Sequence, residues 1–344
     1  MDHVDHTDRT THTDPAPIRP TGTAPGLHVI AGKGPVGATT AEVLAAAGHR
    51  VRVLSRSGAT STEGIEHVAV DVTDADAVRR AARGADVLYN CLNPEYHRWA
   101  TDWPPMAASL LDAAEAEGSG YVIMGNLYGY GPVDAPMVES TPLAATGTKG
   151  GVRNAMWHDA LERQRAGRVR VTEARASDFF GPGVVDGGHL GERAVPVLLR
   201  GRRPRVIGDP SQPHSWTYIP DVAHALARLG TDDRAWGRAW HVPTPPARSA
   251  QQMVDGLADA AGVARVRVGR IPWPVVRAAG LAVPFMRELQ ETRHQFDGPF
   301  VLDSTDFTAT FGDAPTPLDV QLDETVAWWR RRLGTTAAVT AAAA

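Results

Sequence analysis

Three glycines set between a short apolar run and a helix-forming run constrain this chain more than any other feature. Residues 27–31 read LHVIA, short and apolar enough for a buried strand. Gly32, Gly34 and Gly37 follow in G-x-G-x-x-G spacing, interleaved with Lys33, Pro35 and Val36. Residues 38–48, ATTAEVLAAAG, are rich in helix formers and close on Gly48, a helix stop. Residues 50–55, RVRVLS, supply a second strand. The glycines therefore occupy the strand-to-helix turn of a complete strand–helix–strand unit. In such a turn the first glycine permits the tight bend, the second lets backbone approach a pyrophosphate, and the third lets helix and strand pack closely. The helix N-terminus adds free N–H groups and a positive dipole end. A dinucleotide cradle built from Gly32, Lys33, Gly34, Pro35, Val36 and Gly37 is the expectation.

The end of the second strand chooses between the two nicotinamide dinucleotides, because a carboxylate there binds the adenosine ribose hydroxyls. Here the residues are Leu54, Ser55, Arg56 and Ser57, with no carboxylate. Arg56 can pair with a 2′-phosphate, and Ser55 and Ser57 can add hydrogen bonds. This favours NADP and leaves NAD open. The competing reading makes Arg56 an ordinary solvated surface residue.

Strand-like and helix-like runs keep alternating: EHVAVDV, DADAVRRAARG, ADVLYNCLNP, MAASLLDAAEAEG and YVIMGN. Alternation of this kind implies an α/β fold, a Rossmann-type doubly wound parallel sheet, with ligands bound beyond the C-terminal strand ends. Asp71, Val72, Asn90, Leu92 and Asn93 fall near such ends and are cofactor candidates. Asp71 suits either the adenine amine or a turn of its own backbone.

At 344 residues the chain can form one large α/β unit or two coupled domains. We divide it into a leader over 1–25, a core over 26–180, a smaller, mixed C-terminal substrate-binding lobe over 181–333 interleaved with the last core strands, and a tail over 334–344. The leader is polar and proline-containing and reads as disordered, as does the tail. Its histidines match no structural metal spacing, so no metal is expected. A formal charge of −4 gives no reason to expect nucleic acid or an anionic membrane as partner. No run of about 18 apolar residues and no secretory core is present. Cys91, the only cysteine, fits a reducing interior. A cytoplasmic protein acting on a small molecule is expected.

Four segments, AGKGPVG, LYGYGPVDAP, RASDFFGPG and HSWTYIPDVAHAL, make residues 27–330 resemble the extended or atypical branch of the short-chain dehydrogenase/reductase superfamily, related to NAD-dependent epimerases and dehydratases. The usual glycine pattern of that family is G-x-x-G-x-x-G; Ala31 stands at its first position. The resemblance implies a Ser/Thr that holds the substrate oxygen and a Tyr-x-x-x-Lys pair. The tyrosine moves the substrate proton, and the lysine binds ribose and lowers the tyrosine pKa. Aligned on Tyr128 and Gly129, Met124 stands in the Ser/Thr position. Aligned on Lys149, Ala145 stands in the tyrosine position. Three replacements are open. Tyr128 or Tyr130 can reach in from the preceding loop; Lys149 can act as the acid, as in the isoflavone-reductase-like branch; or Thr146 and Thr148 can orient substrate, with water as proton source. Lys149 and Tyr128 are the catalytic candidates, Lys149 also a cofactor ligand. The competing readings are a solvated lysine at a helix start and a packed aromatic. The family resemblance also implies a possible homodimer, pairing through a helix near 151–166.

For the substrate we single out Asn126, Tyr130, Asp178, Phe179, His214 and Trp216. In nucleotide-sugar enzymes of the resembling family an asparagine commonly stands where Asp178 does, which argues against a nucleotide sugar. The leading expectation is an NADP-dependent oxidoreductase that reduces a carbonyl, imine or activated alkene of a small apolar metabolite. The missing tyrosine motivates two alternatives: a non-redox epimerase, dehydratase or cyclase on the same scaffold, and an NAD(P)-sensing regulatory protein.

Overall fold

The structure is a computed structural model. It describes residues 25–186 and 188–342, with side chains described as far as Gly334, so the leader lies outside the described residues except for Pro25. The glycine-marked unit forms as expected: β1 (Leu27–Ala31), α1 (Pro35–Ala46) and β2 (Arg50–Ser55). Then follow β3 (Ile65–Ala69), α2 (Ala75–Ala82), β4 (Val87–Asn90), α3 (Trp99–Glu117), β5 (Gly120–Asn126), α4 (Thr148–Arg165) and β6 (Arg170–Ala176). The second half adds β7 (Asp178–Phe180), α5 (Val195–Leu199), β8 (Arg205–Ile207), β9 (Trp216–Tyr218), α6 (Ile219–Thr231), β10 (Ala239–His241), α7 (Ala250–Ala261) and β11 (Gly269–Ile271). It closes with α8 (Trp273–Ala279), α9 (Pro284–Glu288), α10 (His294–Asp297), α11 (Thr305–Phe311) and α12 (Leu318–Ala342).

Seven strands join one sheet in the order β10-β6-β5-β4-β1-β2-β3, and every pairing is parallel. The order reverses between β1 and β4, so the cradle turn after β1 opens at the switch point, where doubly wound sheets bind ligands. Because both faces are covered, the strands read as apolar runs. One face packs Ile30, Val53 and Val122 against Leu44 of α1 and Leu226 and Leu229 of α6. The other packs Val29, Leu88 and Ile123 against Val78 of α2, Leu110 of α3 and Trp157 of α4. The C-terminal lobe has its own core, where Leu198, Val254, Leu257 and Trp329 meet. Two short parallel pairs, β7·β9 and β8·β11, stand apart from the seven-stranded sheet.

Local signals explain several boundaries. Asp74 caps α2 through the Ala77 amide at 3.0 Å, and Ser249 caps α7 in a reciprocal capping box with Gln252. Two helices depart from the sequence expectation. α3 begins at Trp99 rather than near Met106, carrying Pro104 and Pro105 inside it. Trp99 and Trp103, one turn apart and both buried, hold that first stretch against the core, and packing outweighs the lost backbone hydrogen bonds. α12 is helical as far as Ala342, into the segment read as a tail; alanine is the strongest helix former.

Candidate active site

The cradle has the geometry its glycines require. Gly32 adopts a φ of +111° and donates its N–H to Leu54 O at 2.9 Å; a Cβ there would lie 2.6 Å from Cys91 O. A Cβ on Gly37 would lie 2.0 Å from Gly32 O, so helix and turn touch backbone to backbone. Gly34, at the N-cap of α1, faces nothing within 4 Å, and Pro35 occupies the first turn. Two glycines are thus needed by the protein itself, and the third leaves open room beside the free N–H groups of a 12-residue helix. These residues fit the pyrophosphate of a dinucleotide.

At the end of β2, Ser55 is buried and its Oγ has no hydrogen-bond partner. Arg56 is exposed. Lys33 Nζ donates to Ser57 Oγ at 2.7 Å and to Gly58 O at 2.8 Å, which brings a second cation to the same strand end. Asp71 is exposed, and its Oδ1 accepts from Thr73 N at 3.0 Å and Thr73 Oγ1 at 2.8 Å. Those bonds, backbone first, hold its carboxyl below the ordinary value. The turn bonds engage one carboxylate oxygen of this exposed side chain. Val72 is buried, with its carbonyl taken by the Ser109 hydroxyl. Asn90, expected on the cofactor, is fully buried and committed elsewhere: Nδ2 donates to the Tyr121 hydroxyl at 3.0 Å, and Oδ1 accepts from Leu92 N at 3.3 Å. Leu92 is half-buried and Asn93 exposed on the loop that follows.

Lys149 is not a solvated lysine. It is 1% exposed in the first turn of α4. Its Nζ donates to Glu288 Oε2 at 2.7 Å and lies 4.8 Å from the centre of the Tyr96 ring, while its backbone N–H donates to Glu291 Oε1 at 2.6 Å. Tyr128 stacks on Trp99 at 5.8 Å and meets Tyr96 edge-on at 6.3 Å. Burial, helped by Tyr96 and Asp178, raises its hydroxyl pKa well above the ordinary value. Lys149 and Tyr128 thus share one aromatic corner, roofed by α9 and the turn after it. Asn126 starts the turn there, its Oδ1 accepting from Tyr128 N at 3.1 Å.

Arg153 lies one turn beyond Lys149 on the same face of α4 and is 8% exposed. Its NH1 donates to Met124 O at 3.1 Å, and its guanidinium lies over Trp99 at 4.7 Å and Trp103 at 4.3 Å. Its buried Nε has no acceptor. Burial lowers its pKa to about 10, against the opposing charge of Glu173. Arg153 carries no mark in the sequence, because apolar helix spacing passes over a buried cation. The buried residues of α4 are Lys149 and Arg153 together with Gly150, Met156, Trp157 and Ala160, while Ala155 is exposed.

On the lobe side, β7 pairs with β9, setting Asp178 opposite Trp216. Asp178 Oδ2 lies 2.9 Å from Nε2 of His214, whose ring lies 4.5 Å from that of Trp216. Burial pushes the Asp178 carboxyl up, but His214, with His189 behind it, outweighs that and holds it below the ordinary value. His189, His214 and Trp216 line a cleft with Gln295 and Phe296. Gln295 is 1% exposed, and neither side-chain amide atom has a partner. No sequence signal marked it. Phe179 packs back onto the sheet core. Tyr130 departs from its expected substrate role. It is buried, and its hydroxyl meets Arg175 NH1 at 2.9 Å and His241 Nε2 at 2.7 Å, inside a network completed by Glu173. Among the described residues no helix is long and apolar enough to cross a membrane.

Comparison with known proteins agrees with this fold. The chain is 24% identical over 263 residues to UDP-glucose 4-epimerase of Mycolicibacterium smegmatis, covering 68% of this chain and 82% of that protein. Among solved structures it resembles dTDP-glucose 4,6-dehydratase from Bacillus anthracis in complex with NAD, at 13% identity and a TM-score of 0.74, covering 89% of this chain and 97% of that one. It also resembles UDP-glucose 4-epimerase from Thermotoga maritima with UDP-glucose, at 17% identity and a TM-score of 0.73, covering 89% and 99%. Residues 28–242, from β1 to the residue after β10, match the NAD dependent epimerase/dehydratase family, and the chain belongs to that family.

Proposed function

We propose that this protein is an enzyme that holds a nicotinamide dinucleotide, NADP in preference to NAD, and uses it to carry a small molecule through a change without net redox: an epimerisation, dehydration or cyclisation. One observation carries the reading. The amine of Lys149 is buried in an aromatic corner at the sheet's C-terminal edge and roofed by Glu288 and Glu291 of the lobe. A roofed reaction site suits a cofactor regenerated in place better than one exchanged at every turnover. The relatives reported above, two epimerases and a dehydratase by name, support the same choice.

When bound, the dinucleotide supplies a reversible hydride acceptor. The protein's own residues do the rest. Gly32, Gly34 and Gly37 with the α1 N-terminus hold the pyrophosphate, and Ser55, Arg56, Ser57 and Lys33 hold the adenosine end. Lys149, in place of the absent tyrosine, takes the proton from the substrate hydroxyl as the hydride leaves and gives it back when the hydride returns. Tyr128, its hydroxyl held protonated by burial, donates a hydrogen bond to that oxygen. Asp178, His214 and Gln295 orient the remainder of the substrate, and Trp216 and Phe296 wall it.

The test is to denature purified protein, identify the released dinucleotide, and then follow its absorbance during turnover across a panel of hydroxy, keto and nucleotide-sugar compounds. Turnover with the cofactor spectrum restored at the end supports the proposal. Stoichiometric NADPH consumption overturns it in favour of a reductase, the reading that the paired cations Lys33 and Arg56 favour.

A further inference from the structure

The helix register of α4 changes which residues face the reacting end of the cofactor. α4 begins at Thr148, so Ala145 lies three residues ahead of the helix and not one turn before Lys149 on a shared face. Ala145 belongs to the preceding loop, its N–H bonded to Gly129 O at 3.1 Å. The pair that does share a face, one turn apart at the start of the helix, is Lys149 and Arg153. Both are buried, and both lie against the Trp99 ring.

Their charges are met differently. Lys149 has Glu288 at 2.7 Å. Arg153 has no carboxylate partner among the described residues, and Glu173, whose charge acts on it, is bonded to Arg175 at 2.6 Å. A guanidinium this buried and unpaired is rare. It carries five N–H donors in a rigid fork. NH1 is fixed on Met124 O, at the C-terminal end of β5, and the buried Nε–H has no acceptor at all. A preformed donor without an acceptor costs stability until a ligand supplies one.

The sheet says which part of the ligand lies there. The cradle sits at the end of β1 and Arg153 at the end of β5, with β4 between them. Two strand spacings amount to about 10 Å. That is a suitable reach from a pyrophosphate at Gly34 across the second ribose of a dinucleotide.

We propose that Arg153 is the cation that binds the ribose on the nicotinamide side of the dinucleotide, leaving Lys149 to face the substrate. This rests on the dinucleotide reading above and deepens it: the lysine and its partner a turn later divide between them the proton-handling and ribose-binding roles. The fork of Arg153 can give two hydrogen bonds to neighbouring ribose hydroxyls, where an amine gives single bonds from a point charge.

The experiment compares wild type, Arg153→Met and Arg153→Lys by calorimetric titration with three probes: ADP, ADP-ribose and the full dinucleotide that wild type prefers. ADP lacks the second ribose and ADP-ribose has it. The expected result is that Arg153→Met leaves ADP binding unchanged and weakens ADP-ribose and the dinucleotide by about tenfold or more, while Arg153→Lys recovers part of the loss. Equal losses for all three probes, or no loss for any, overturn the proposal, the first because Arg153 then only supports the fold. If wild type binds none of the probes, the dinucleotide reading itself fails, which is a separate result from a wild type that binds and a variant that binds equally well.

Discussion

Lys149 Nζ and Glu288 Oε2, 139 residues apart in sequence and 2.7 Å apart in space, fasten the sheet core to the C-terminal lobe. The amine is almost fully buried, while the carboxylate side chain is 23% exposed. Removing the carboxylate strands a buried charge, which in dry interiors costs about 3–5 kcal/mol. Water can reach this one from the glutamate side, so Glu288→Gln should destabilise by about 2 kcal/mol, lowering the melting temperature by a few degrees in thermal denaturation. Because the same clasp roofs the aromatic corner, KM should rise as well. An unchanged melting temperature would show that the two parts are held together elsewhere.

The three cradle glycines should respond differently to the same small change. Gly37→Ala places a methyl 2.0 Å from Gly32 O, backbone against backbone with no side chain to yield. Several kcal/mol of destabilisation are expected, read as poor expression or a sharply lowered denaturation midpoint. Gly34→Ala meets no atom within 4 Å and should fold with wild-type stability. Its methyl occupies the room assigned to phosphate, so dinucleotide affinity should fall at least tenfold by titration. A Gly34→Ala protein that binds as well as wild type would remove the phosphate from that turn.

The contrast between those glycines and the aromatic corner shows what the sequence could reveal. The cradle, the alternation of strands and helices, and the caps at Asp74 and Ser249 depend on neighbours within a few residues, and they were legible. Asn90 stood at the right strand end but spends its amide on Tyr121 and Leu92, a choice made by packing. Glu288, Gln295 and Arg153 were not legible as site residues. The first two arrive from the far end of the chain in short helices and turns without strong periodicity. Arg153 lies on a buried helix face where two cations sit among Met156, Trp157 and Ala160, and apolar spacing alone does not mark a cation as buried.

Cofactor choice should follow the cations at the end of β2. Arg56 is exposed and Lys33 Nζ reaches the same strand end, with Asp71 Oδ1 bonded to Thr73. A phosphate held by Arg56 gains a charge-assisted contact of about 1.5–3 kcal/mol. Arg56→Ala should therefore cost NADP about tenfold or more in affinity and leave NAD nearly unchanged, as measured by titration with each nucleotide. Equal effects on both would return Arg56 to the solvated surface.

Acid should unfold this protein through its buried histidines. His28 is packed among His49 and Tyr89, and burial first, then His49, lower its pKa to about 3. His241, between Tyr130 and Asp303 O, is lowered to about 4, chiefly by burial. Both are neutral in the folded state and take up protons near pH 6.5 once unfolded. The unfolded chain thus binds more protons below that pH, so stability is complete above about 6.5 and falls as pH drops toward the folded values. At pH 5 each histidine should remove about 2 kcal/mol, an order-of-magnitude figure. Chemical denaturation at pH 7.5 and pH 5 should show that loss, and His28→Asn should shrink it while lowering stability at pH 7.5. An acid sensitivity unchanged by the substitution would place the titrating groups elsewhere.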